Sequence, residues 1–522
     1  QRSALLQRLS DAPAFDLVVA GGGATGLGLA LDATARGFRV LLLEAHDFAK
    51  GTSSRATKLV HGGVRYLAQG DIGLVREALH ERATLLANAP HLARPLPFVI
   101  PSYAWWQTPF HAAGLKLYDA LAGSAGLGAT EVLDLARTKA LLPTARTAGL
   151  RGGVRYWDGQ FDDARLALAL ARTAAERGAL VLNYCRVVEL LHEQGWVVGV
   201  VCEDLETGGR HAVRSRCVVN ATGVWVDALR RLDAEARGRP TSALVTPSQG
   251  VHLVVDRAFL PTDHALMVPR TSDGRVLFAV PWLGKTILGT TDTPRESPDA
   301  EPRPFPQEVE FILGEAGRYL STPPRRADVR SIWVGLRPLV RPQAGDGETA
   351  IKSISREHTV RVAASGLVSV TGGKWTTYRS MAEDVLDHCF DAGLLPWRSG
   401  GVTRELRLVG AMSVAGGRTS LTGAPDALAY GDEAEHVLAL EGSGIELGGG
   451  LTAAMVRFAV RHEYARTVED VLARRHRLLF LDARQAAAVA PAVATLLREE
   501  TGRDPGLAAF VALARTYSTL PE

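Results

Sequence analysis

A glycine-rich turn between two apolar segments constrains this chain more than any other feature of its sequence. Phe15–Ala20 is an apolar run with β-branched residues, and Gly21-x-Gly23-x-x-Gly26 follows it directly. The first glycine of this pattern makes the turn, the second lets a pyrophosphate approach the backbone, and the third lets a helix pack on the strand. A helix beginning near Ala24 would direct its free N–H groups at that pyrophosphate.

An acidic residue completes this motif. Phe38–Leu43 is predicted to be the second strand, and Glu44 stands at its end. A carboxylate at this place accepts hydrogen bonds from the hydroxyls of an adenosine ribose. We therefore predict an α/β domain that binds a dinucleotide, with contacts from Ala24, Thr25 and Ala45 as well. The alternative is a glycine-rich turn in an ordinary α/β domain.

Length and composition bound the class of protein. At 522 residues the chain exceeds one typical hydrophobic core, so we expect two or three domains. A hydrophobic content of 46% and a charged content of 22% are typical of soluble globular proteins. The net charge of +3, from 59 basic and 56 acidic residues, is too balanced to indicate a nucleic-acid partner.

The cysteines and the apolar runs argue against other classes. Cys185, Cys202, Cys217 and Cys389 form no CxxC pair, so we expect buried thiols in a reducing compartment, with neither a disulfide framework nor a metal site. No uninterrupted apolar run reaches the ~18 residues that a transmembrane helix needs. Residues 1–15 lack the apolar core of a signal peptide, and a short helix or a frayed end is expected there.

Residues 52–67, TSSRATKLVHGGVRYL, are the second informative stretch. Its chemistry-bearing side chains are Thr52, Ser53, Ser54, Lys58, His61, Arg65 and Tyr66. On a helix Lys58, His61 and Arg65 would share a face, but Gly62-Gly63 is expected to end such a helix first. Glycines beside a histidine let a flat ring system lie against the backbone. Because His61 lies between a dinucleotide motif and an Arg-Tyr pair, we predict that it meets a ligand rather than being satisfied locally.

These two motifs, GGGATGLGLA at 21–30 and the 52–67 stretch, resemble the FAD-dependent glycerol-3-phosphate dehydrogenases. That family belongs to the amino-acid-oxidase-like flavoenzymes, and downstream matches extend the resemblance over nearly the whole chain. It implies FAD as the cofactor. It also implies an α/β fold class: a Rossmann-like FAD-binding domain, an antiparallel-sheet substrate domain and a helical C-terminal domain.

Three later segments are predicted to close around the FAD. Related flavoproteins cover the adenine with main-chain groups at the position of Val187–Val188, and Ala221-Thr222-Gly223 follows an apolar strand. Leu367–Arg379 repeats the strand–glycine–helix pattern, so that Lys374 would face the flavin pyrimidine, where negative charge develops on reduction. The predicted FAD contacts are Gly21, Gly23, Ala24, Thr25, Gly26, Glu44, Ala45, Thr52, Ser53, Ser54, Lys58, His61, Gly62, Gly63, Val188, Ala221, Thr222, Gly223, Gly373, Lys374 and Thr376.

The substrate of the resembling family carries a phosphate and a secondary alcohol. A phosphate requires cations, and the matching motifs offer Arg65, Arg337, Arg356 and Lys374. A base that removes the hydroxyl proton should titrate near neutrality, which suits histidine. We predict His61 as this base, with His252 in reserve. Arg337 would also polarise the oxygen that becomes the ketone, Lys374 completes the catalytic set, and Tyr66 would orient the substrate.

The alternation of apolar and polar residues at 241–292 predicts an antiparallel sheet. The predicted division is a first part of the FAD-binding domain at 1–95, a membrane-proximal and linker segment at 96–150, a second FAD-binding part at 151–240, the substrate domain at 241–330, an active-site segment at 331–395 and a helical domain at 396–522. We expect the basic residues of 461–481 to form a solvated face; contact with a partner or a membrane is the alternative.

The aromatic cluster Trp105, Trp106 and Phe110 has two readings: core packing, or a patch that enters a membrane interface beside Lys116. The resemblance implies the second, because members of the family bind membranes peripherally and pass electrons to quinone. It therefore implies a cytoplasmic protein on the inner face of the cell membrane. The sequence leaves a homodimer open.

The activity implied is oxidation of sn-glycerol 3-phosphate to dihydroxyacetone phosphate, with electrons passed to a membrane quinone. An oxidase that reduces oxygen would use the same motifs. An amino-acid oxidase is disfavoured by the number of cations available for a phosphate. A non-catalytic FAD-binding membrane scaffold is disfavoured by His61 together with Arg337, Arg356 and Lys374.

Overall fold

Two large sheets and several helices make up the part of the chain that the computed structural model describes, residues 2–67, 70–341, 358–411 and 420–522. The strands are β1 (Phe15–Ala20), β2 (Val40–Leu43), β3 (Leu59–Val60), β4 (Ala93–Ser102), β5 (Glu131–Leu133), β6 (Gly152–Phe161), β7 (Leu180–Leu182), β8 (Cys185–Glu193), β9 (Trp196–Asp204), β10 (Arg210–Asn220), β11 (Val245–Asp256), β12 (Ala265–Val268), β13 (Leu277–Trp282), β14 (Lys285–Gly289), β15 (Thr293–Pro294), β16 (Val329–Val340), β17 (Thr359–Val362), β18 (Val368–Thr371), β19 (Glu446–Gly448) and β20 (Leu451–Thr452). The helices are α1 (Arg2–Asp11), α2 (Ala24–Ala35), α3 (Val64–Leu67), α4 (Ile72–Asn88), α5 (Gln107–Ala122), α6 (Leu135–Leu141), α7 (Asp163–Glu176), α8 (Val226–Ala236), α9 (Pro306–Tyr319), α10 (Tyr378–Asp391), α11 (Ala434–Ala439), α12 (Ala453–His462), α13 (Leu478–Leu481), α14 (Ala483–Thr501) and α15 (Leu507–Ser518).

β1 lies at the centre of the first sheet, whose order is β17-β18-β10-β1-β2-β7, with the hairpin β8–β9 continuing from β10. Leu17 pairs in parallel with Val40 of β2 and Cys217 of β10. Leu17 and Val19 join the core formed with α2, α7 and α10, whereas Val18 joins the core on the opposite face, as strand alternation requires. The sheet therefore confirms the predicted Rossmann-like class and places the glycine turn at its carboxyl edge.

The second sheet is mainly antiparallel, in the order β15-β11-β14-β13-β12-β4-β6-β3, with β16 added to β11 and β5 to β6. The strands predicted at 241–292 are present as β11 to β14. β4 and β6 also belong to this sheet, although the predicted division gave their residues to the membrane-proximal and FAD-binding segments. Val251 of β11 faces the core shared with α9, and Val254 faces the C-terminal helices.

The C-terminal part is helical, as predicted, and its segment 467–480 consists of two short helical pieces. It forms a π-helical turn, Asp470–Arg475, and then α13, with Arg477 between them at a φ of +71°. These helices pack on the second sheet through a shared core that includes Trp333 and Phe480. The helix is interrupted at Arg477, and the basic side chains of this segment point into the protein.

Buried ion pairs join this helical part to the FAD-binding part. Asp47, which lies just after β2, receives hydrogen bonds from Arg474 and Arg475, including one of 2.9 Å from Nη2 of Arg475. Asp163 at the start of α7 accepts from Arg477 at 3.0 Å and from Lys58 at 2.7 Å. The prediction of a solvated basic face is therefore wrong for these three arginines, because each is paired with a buried carboxylate of another part of the chain.

The aromatic cluster beside α5 lies on the surface. Trp105, Trp106 and Phe110 are 78%, 49% and 67% exposed. This exposure argues against the core-packing reading of the cluster. Within the described ranges, no helix combines the length and hydropathy needed to cross a bilayer.

Removing the buried Asp47 charge is expected to destabilise the whole protein. In Asp47→Asn, Arg474 and Arg475 lose their shared counter-charge in a buried place, and breaking such a pair costs about 3–5 kcal/mol. Urea unfolding of the FAD-loaded protein measures this loss. The control is Glu193→Gln, which removes the exposed partner of Arg214 and should leave the midpoint nearly unchanged. Equal midpoints for the two variants would contradict the stabilising role of the buried pair.

Candidate functional site

A cleft of about 420 Å³ opens where β1, β2, β10 and β18 end. Ligands of open α/β sheets bind outside the carboxyl ends of the strands, and this volume is typical of a cofactor site. Its walls come from the glycine turn, the residues after β2, the 51–53 segment, the 221–225 segment and the 371–375 segment. These segments are far apart in sequence, and the parallel sheet brings their ends together.

The glycine turn is built by close backbone approach. Gly21 has a φ of +115°, which favours glycine, and an added Cβ would lie 2.5 Å from the carbonyl oxygen of Ala221. An added Cβ at Gly26 would overlap the carbonyl oxygen of Gly21, so Gly26 lets α2 pack against the turn. Gly26 therefore has the predicted packing role, but this residue is not part of the cleft wall. At the start of α2, Ala24 N–H donates to Ser53 Oγ at 2.9 Å.

Glu44 is held in place by the backbone. Its Oε2 accepts from Gly22 N–H at 2.6 Å, and its Oε1 accepts from His46 N–H at 2.8 Å. Burial raises the pKa of this carboxyl, and the two N–H donors oppose that shift. Because each carboxylate oxygen has further lone pairs, Glu44 can also accept hydrogen bonds from a ribose at the cleft wall.

The other end of the cleft is formed by the turn after β18. Gly372 and Gly373 have φ values of +83° and +74°, which favour glycine. Both glycines and Lys374 line the cleft. Trp375 Nε1 donates to Ser53 O at 2.9 Å, and Thr371 Oγ1 donates to a carbonyl of the 221–225 segment at 3.2 Å. These bonds join the 371–375 segment to the 51–53 segment and to the 221–225 segment.

The 52–63 segment runs from the cleft toward the second sheet. Thr52 Oγ1 donates to Leu336 O of β16 at 2.5 Å. His61 N–H donates to Thr376 Oγ1 at 3.2 Å, which brings that histidine beside the 371–376 turn. Gly62 N–H donates to the Tyr118 hydroxyl at 2.7 Å. The chain forms β3 before these glycines and α3 after them. The expectation that Gly62-Gly63 would end a helix is therefore wrong: a strand precedes them and a helix begins after them.

Lys58 occupies a different place from the one predicted. Its side chain is fully buried, and Nζ donates to Asp163 at 2.7 Å and to Ser54 O at 2.8 Å. The ammonium also lies 5.2–5.4 Å from the ring centroids of Trp282, Trp333 and Phe480. The side chain is therefore not part of the cleft wall. The predicted contact of this ammonium with FAD is replaced by a structural role, in which Lys58 holds the 52–57 segment through Ser54 O. Burial, reinforced by Arg477, lowers the pKa of Lys58 to about 7.

His252 and Arg337 lie on the same face of β11 and β16, the neighbouring strands in which Ser248 pairs with Arg337 and His252 pairs with Trp333. Arg337 contacts Asp292 Oδ1 and Thr290 Oγ1, each at 3.3 Å. Gly250 lies between the histidine and the arginine on this face, and an added Cβ there would overlap the guanidinium. The glycine thus leaves the room in which the cation rests beside His252.

The structure separates the predicted FAD contacts into two groups. Those in the cleft wall are Gly21, Gly23, Ala24, Thr25, Glu44, Ala45, Thr52, Ser53, Ala221, Thr222, Gly223, Gly373 and Lys374. Those outside the wall are Gly26, Ser54, Lys58, His61, Gly62, Gly63, Val188 and Thr376. Val187 lines the wall in place of Val188, because successive side chains of a strand point to opposite faces.

Several wall residues were not predicted, namely His46, Lys50, Gly51, Arg186, Trp225, Thr371 and Trp375. Trp375 adjoins the predicted Lys374, so the GGKW turn carried a usable signal. Lys50 and Arg186 carried none, since each resembles a surface cation in sequence. Arg356 lies outside the described residues. Arg65 and Tyr66 lie in α3, but their side chains are outside the described part of the structure.

The chemistry of the cleft fits FAD. The glycine turn and the start of α2 fit a pyrophosphate, Glu44 fits a ribose, and the paired glycines beside Lys374 leave room for a flat ring. The return strand β10 delivers Ala221-Thr222-Gly223 to the same wall. FAD is therefore the cofactor that this arrangement holds.

Comparison with known proteins gives the same cofactor. Residues 16–379 match the family model described as FAD dependent oxidoreductase, and residues 402–506 match the C-terminal domain of alpha-glycerophosphate oxidase. Mitochondrial glycerol-3-phosphate dehydrogenase of Macaca fascicularis is 42% identical over 96% of this chain and 73% of its own length. The Schizosaccharomyces pombe protein of that name is 38% identical over 96% of this chain and 87% of its own length.

A solved structure is similar over nearly the whole chain. Glycerol-3-phosphate dehydrogenase from Bacillus halodurans, complexed with FAD, has a TM-score of 0.76 at 32% identity, covering 99% of this chain and 98% of that one. Both the cofactor domain and the helical C-terminal domain are included in these matches. The chain belongs to the FAD-dependent glycerol-3-phosphate dehydrogenase family of the FAD-dependent oxidoreductases.

Proposed function

We propose that the protein oxidises sn-glycerol 3-phosphate to dihydroxyacetone phosphate and passes the electrons to a membrane quinone. The observation that carries this proposal is the placement of Arg337 and His252 side by side on one face of β11 and β16. A guanidinium binds phosphate through paired donors, and a neutral imidazole accepts a proton. The names of the relatives support the same substrate.

The protein supplies position and charge for this reaction. Lys374 lines the cleft, and Arg337 precedes Pro338, which also lines it; we assign the phosphate and the developing ketone oxygen to these two cations. Arg65, Tyr66 and Arg356 remain predicted substrate contacts. FAD supplies the hydride acceptor when it is bound.

The proton acceptor in this proposal is His252 rather than His61. His252 is buried, and burial together with the positive charges of Lys58 and Arg337 holds its pKa well below the ordinary histidine value. The imidazole is therefore neutral and has a lone pair at neutral pH. A phosphate dianion bound at Arg337 offsets the two positive charges and raises the basicity of His252. His61 is assigned to the flavin end of the site, beside Thr376.

The membrane part of the proposal rests on the exposed aromatic side chains at the start of α5. Trp105, Trp106 and Phe110 present a large apolar surface, and Lys116 lies exposed on the same helix. Exposed tryptophan with lysine is favoured at a lipid interface. We propose that this surface binds the inner face of the cell membrane, with the bulk of the protein in the cytoplasm and quinone reached from the lipid. An oxidase would instead deliver the electrons to oxygen.

Glycerol 3-phosphate should bleach the flavin absorbance of the purified protein in the absence of oxygen. In His252→Gln the bleaching rate should fall by roughly 10²–10⁴-fold, because the proton acceptor is lost. His61→Gln is the comparison variant and should lose less. Wild-type protein that is not bleached would refute the substrate. A larger loss in His61→Gln would move the proton acceptor to His61.

Replacing two exposed aromatics should release the protein from membranes. Trp105→Ser with Phe110→Ser removes most of the apolar contact, so the fraction that sediments with phosphatidylglycerol–phosphatidylcholine vesicles should fall about tenfold or more. Trp397→Ser is the matched control, since Trp397 is 74% exposed elsewhere on the surface. If both variants sediment like wild type, the aromatic surface is not the membrane contact. A separate assay distinguishes the dehydrogenase from the oxidase. With glycerol 3-phosphate as substrate, a dehydrogenase reduces an added quinone, whereas an oxidase forms hydrogen peroxide from oxygen.

A further inference from the structure

One hydrogen bond orients the imidazole of His252. Its Nε2 lies 2.9 Å from the hydroxyl oxygen of Thr57, a residue of the segment that links the FAD cleft to β3. Its ring stacks on Trp333 at 5.2 Å between centroids and 15° between planes. The stack fixes the plane of the ring, and the hydrogen bond to Thr57 fixes its rotation within that plane.

The other ring nitrogen has a different environment. Among the residues that the structure describes, Nδ1 of His252 is buried and has no hydrogen-bond partner. The Cδ2 edge of the ring faces β14, because an added Cβ at Gly289 would lie 2.6 Å from it. Nδ1 is on the opposite edge of the ring, away from β14, and Arg337 lies two positions along the same sheet face, beyond Gly250.

These contacts select one tautomer of the neutral ring. A proton on Nδ1 would be a buried donor without an acceptor, which is costly. A proton on Nε2 is satisfied, because it is donated to the Thr57 oxygen at 2.9 Å. The favoured form therefore carries N–H at Nε2 and a lone pair at Nδ1.

The charges around the ring favour its neutral form. Lys58 and Arg337 are the charged groups that act on His252, and both are cations. Lys58 lies 5.4 Å from the centre of the Trp333 ring, the ring on which His252 stacks, and its own charged neighbours are Asp163 and Arg477. Protonating His252 in the absence of an anionic ligand would add a third positive charge to this region.

We propose that Thr57 is a positioning residue whose hydroxyl holds His252 with Nε2 protonated, so that the Nδ1 lone pair accepts the hydroxyl proton of a secondary alcohol. The inference rests on the proposed function. When the alcohol is oxidised, its O–H bond breaks and the proton moves to Nδ1, while the electron pair of the C–H bond leaves as hydride to FAD. Thr57 itself touches neither the reacting carbon nor the cofactor in this account.

The first test compares two substitutions at Thr57. Thr57→Val keeps the shape of the side chain but removes the hydroxyl, whereas Thr57→Ser keeps the hydroxyl. In anaerobic stopped-flow bleaching by glycerol 3-phosphate, Thr57→Val should lower the limiting rate roughly ten- to a hundredfold and leave half-saturation nearly unchanged. Thr57→Ser should retain the rate within about threefold. Equal limiting rates in the two variants would overturn the proposal.

A double-mutant cycle tests whether Thr57 acts through the histidine. In a His252→Ala background, Thr57→Val should cause no further loss, because the acceptor that it positions is gone. An undiminished loss in that background would show that Thr57 acts elsewhere and would overturn the proposal. If Thr57→Val does not retain FAD, Thr57→Ala takes its place in both comparisons.

A spectroscopic readout is independent of turnover. In protein labelled with ¹⁵N-histidine, the His252 signals, assigned by their loss in His252→Gln, should show protonated Nε2 and unprotonated Nδ1 in wild type and Thr57→Ser. Thr57→Val should lose this single-tautomer signature. Protonated Nδ1 in wild type would overturn the inference. Failure of wild type to bleach with glycerol 3-phosphate, with this tautomer present, would instead refute the substrate and leave the Thr57–His252 assignment standing.

Discussion

The structure depends on carboxylates of the FAD-binding part that are buried against arginines of the C-terminal part. Asp47 lies just after β2 and Glu44, and it is neutralised by Arg474 and Arg475. Asp163 is shared by Arg477 and Lys58. Buried charges must be compensated within the protein. The helical C-terminal part is therefore needed to complete the electrostatics of the cofactor domain, although it supplies no residue to the cleft wall among those described.

The 52–58 segment connects three parts of the fold: the cofactor cleft, the second sheet and the C-terminal helices. Beneath the 52–57 segment, Lys58 is enclosed by aromatic rings from β13, β16 and α13. Above it, Thr52 reaches β16 and Thr57 reaches His252 on β11. One short stretch of chain thus lines the cofactor cleft, hydrogen-bonds to a histidine of the second sheet and packs against the C-terminal helices. Because protein interiors are close-packed, displacement of any of these elements would also shift the side chains of the other two.

The sequence predicts the cofactor end of this site better than the substrate end. The glycine turn and Glu44 are local motifs, in which spacing along the chain sets the geometry, and their places in the wall follow from it. Lys58 was predicted by the same proximity to be a ligand contact, but tertiary packing surrounds it with aromatic rings. The pairing of His252 with Thr57 joins residues 195 positions apart, and no periodicity reports such a contact. The buried arginines were likewise invisible, because their partners lie on distant elements.

Gly250 shows how the position of a charged side chain can depend on a neighbour that has no side chain. The Arg337 guanidinium rests where the first side-chain carbon of any other amino acid would stand. Any side chain at position 250 therefore requires the guanidinium to move, and an uncharged one such as alanine would move it without altering the charge of the region. A substitution in β11 can thus reposition a charge that is carried by β16, although the arginine itself is unchanged.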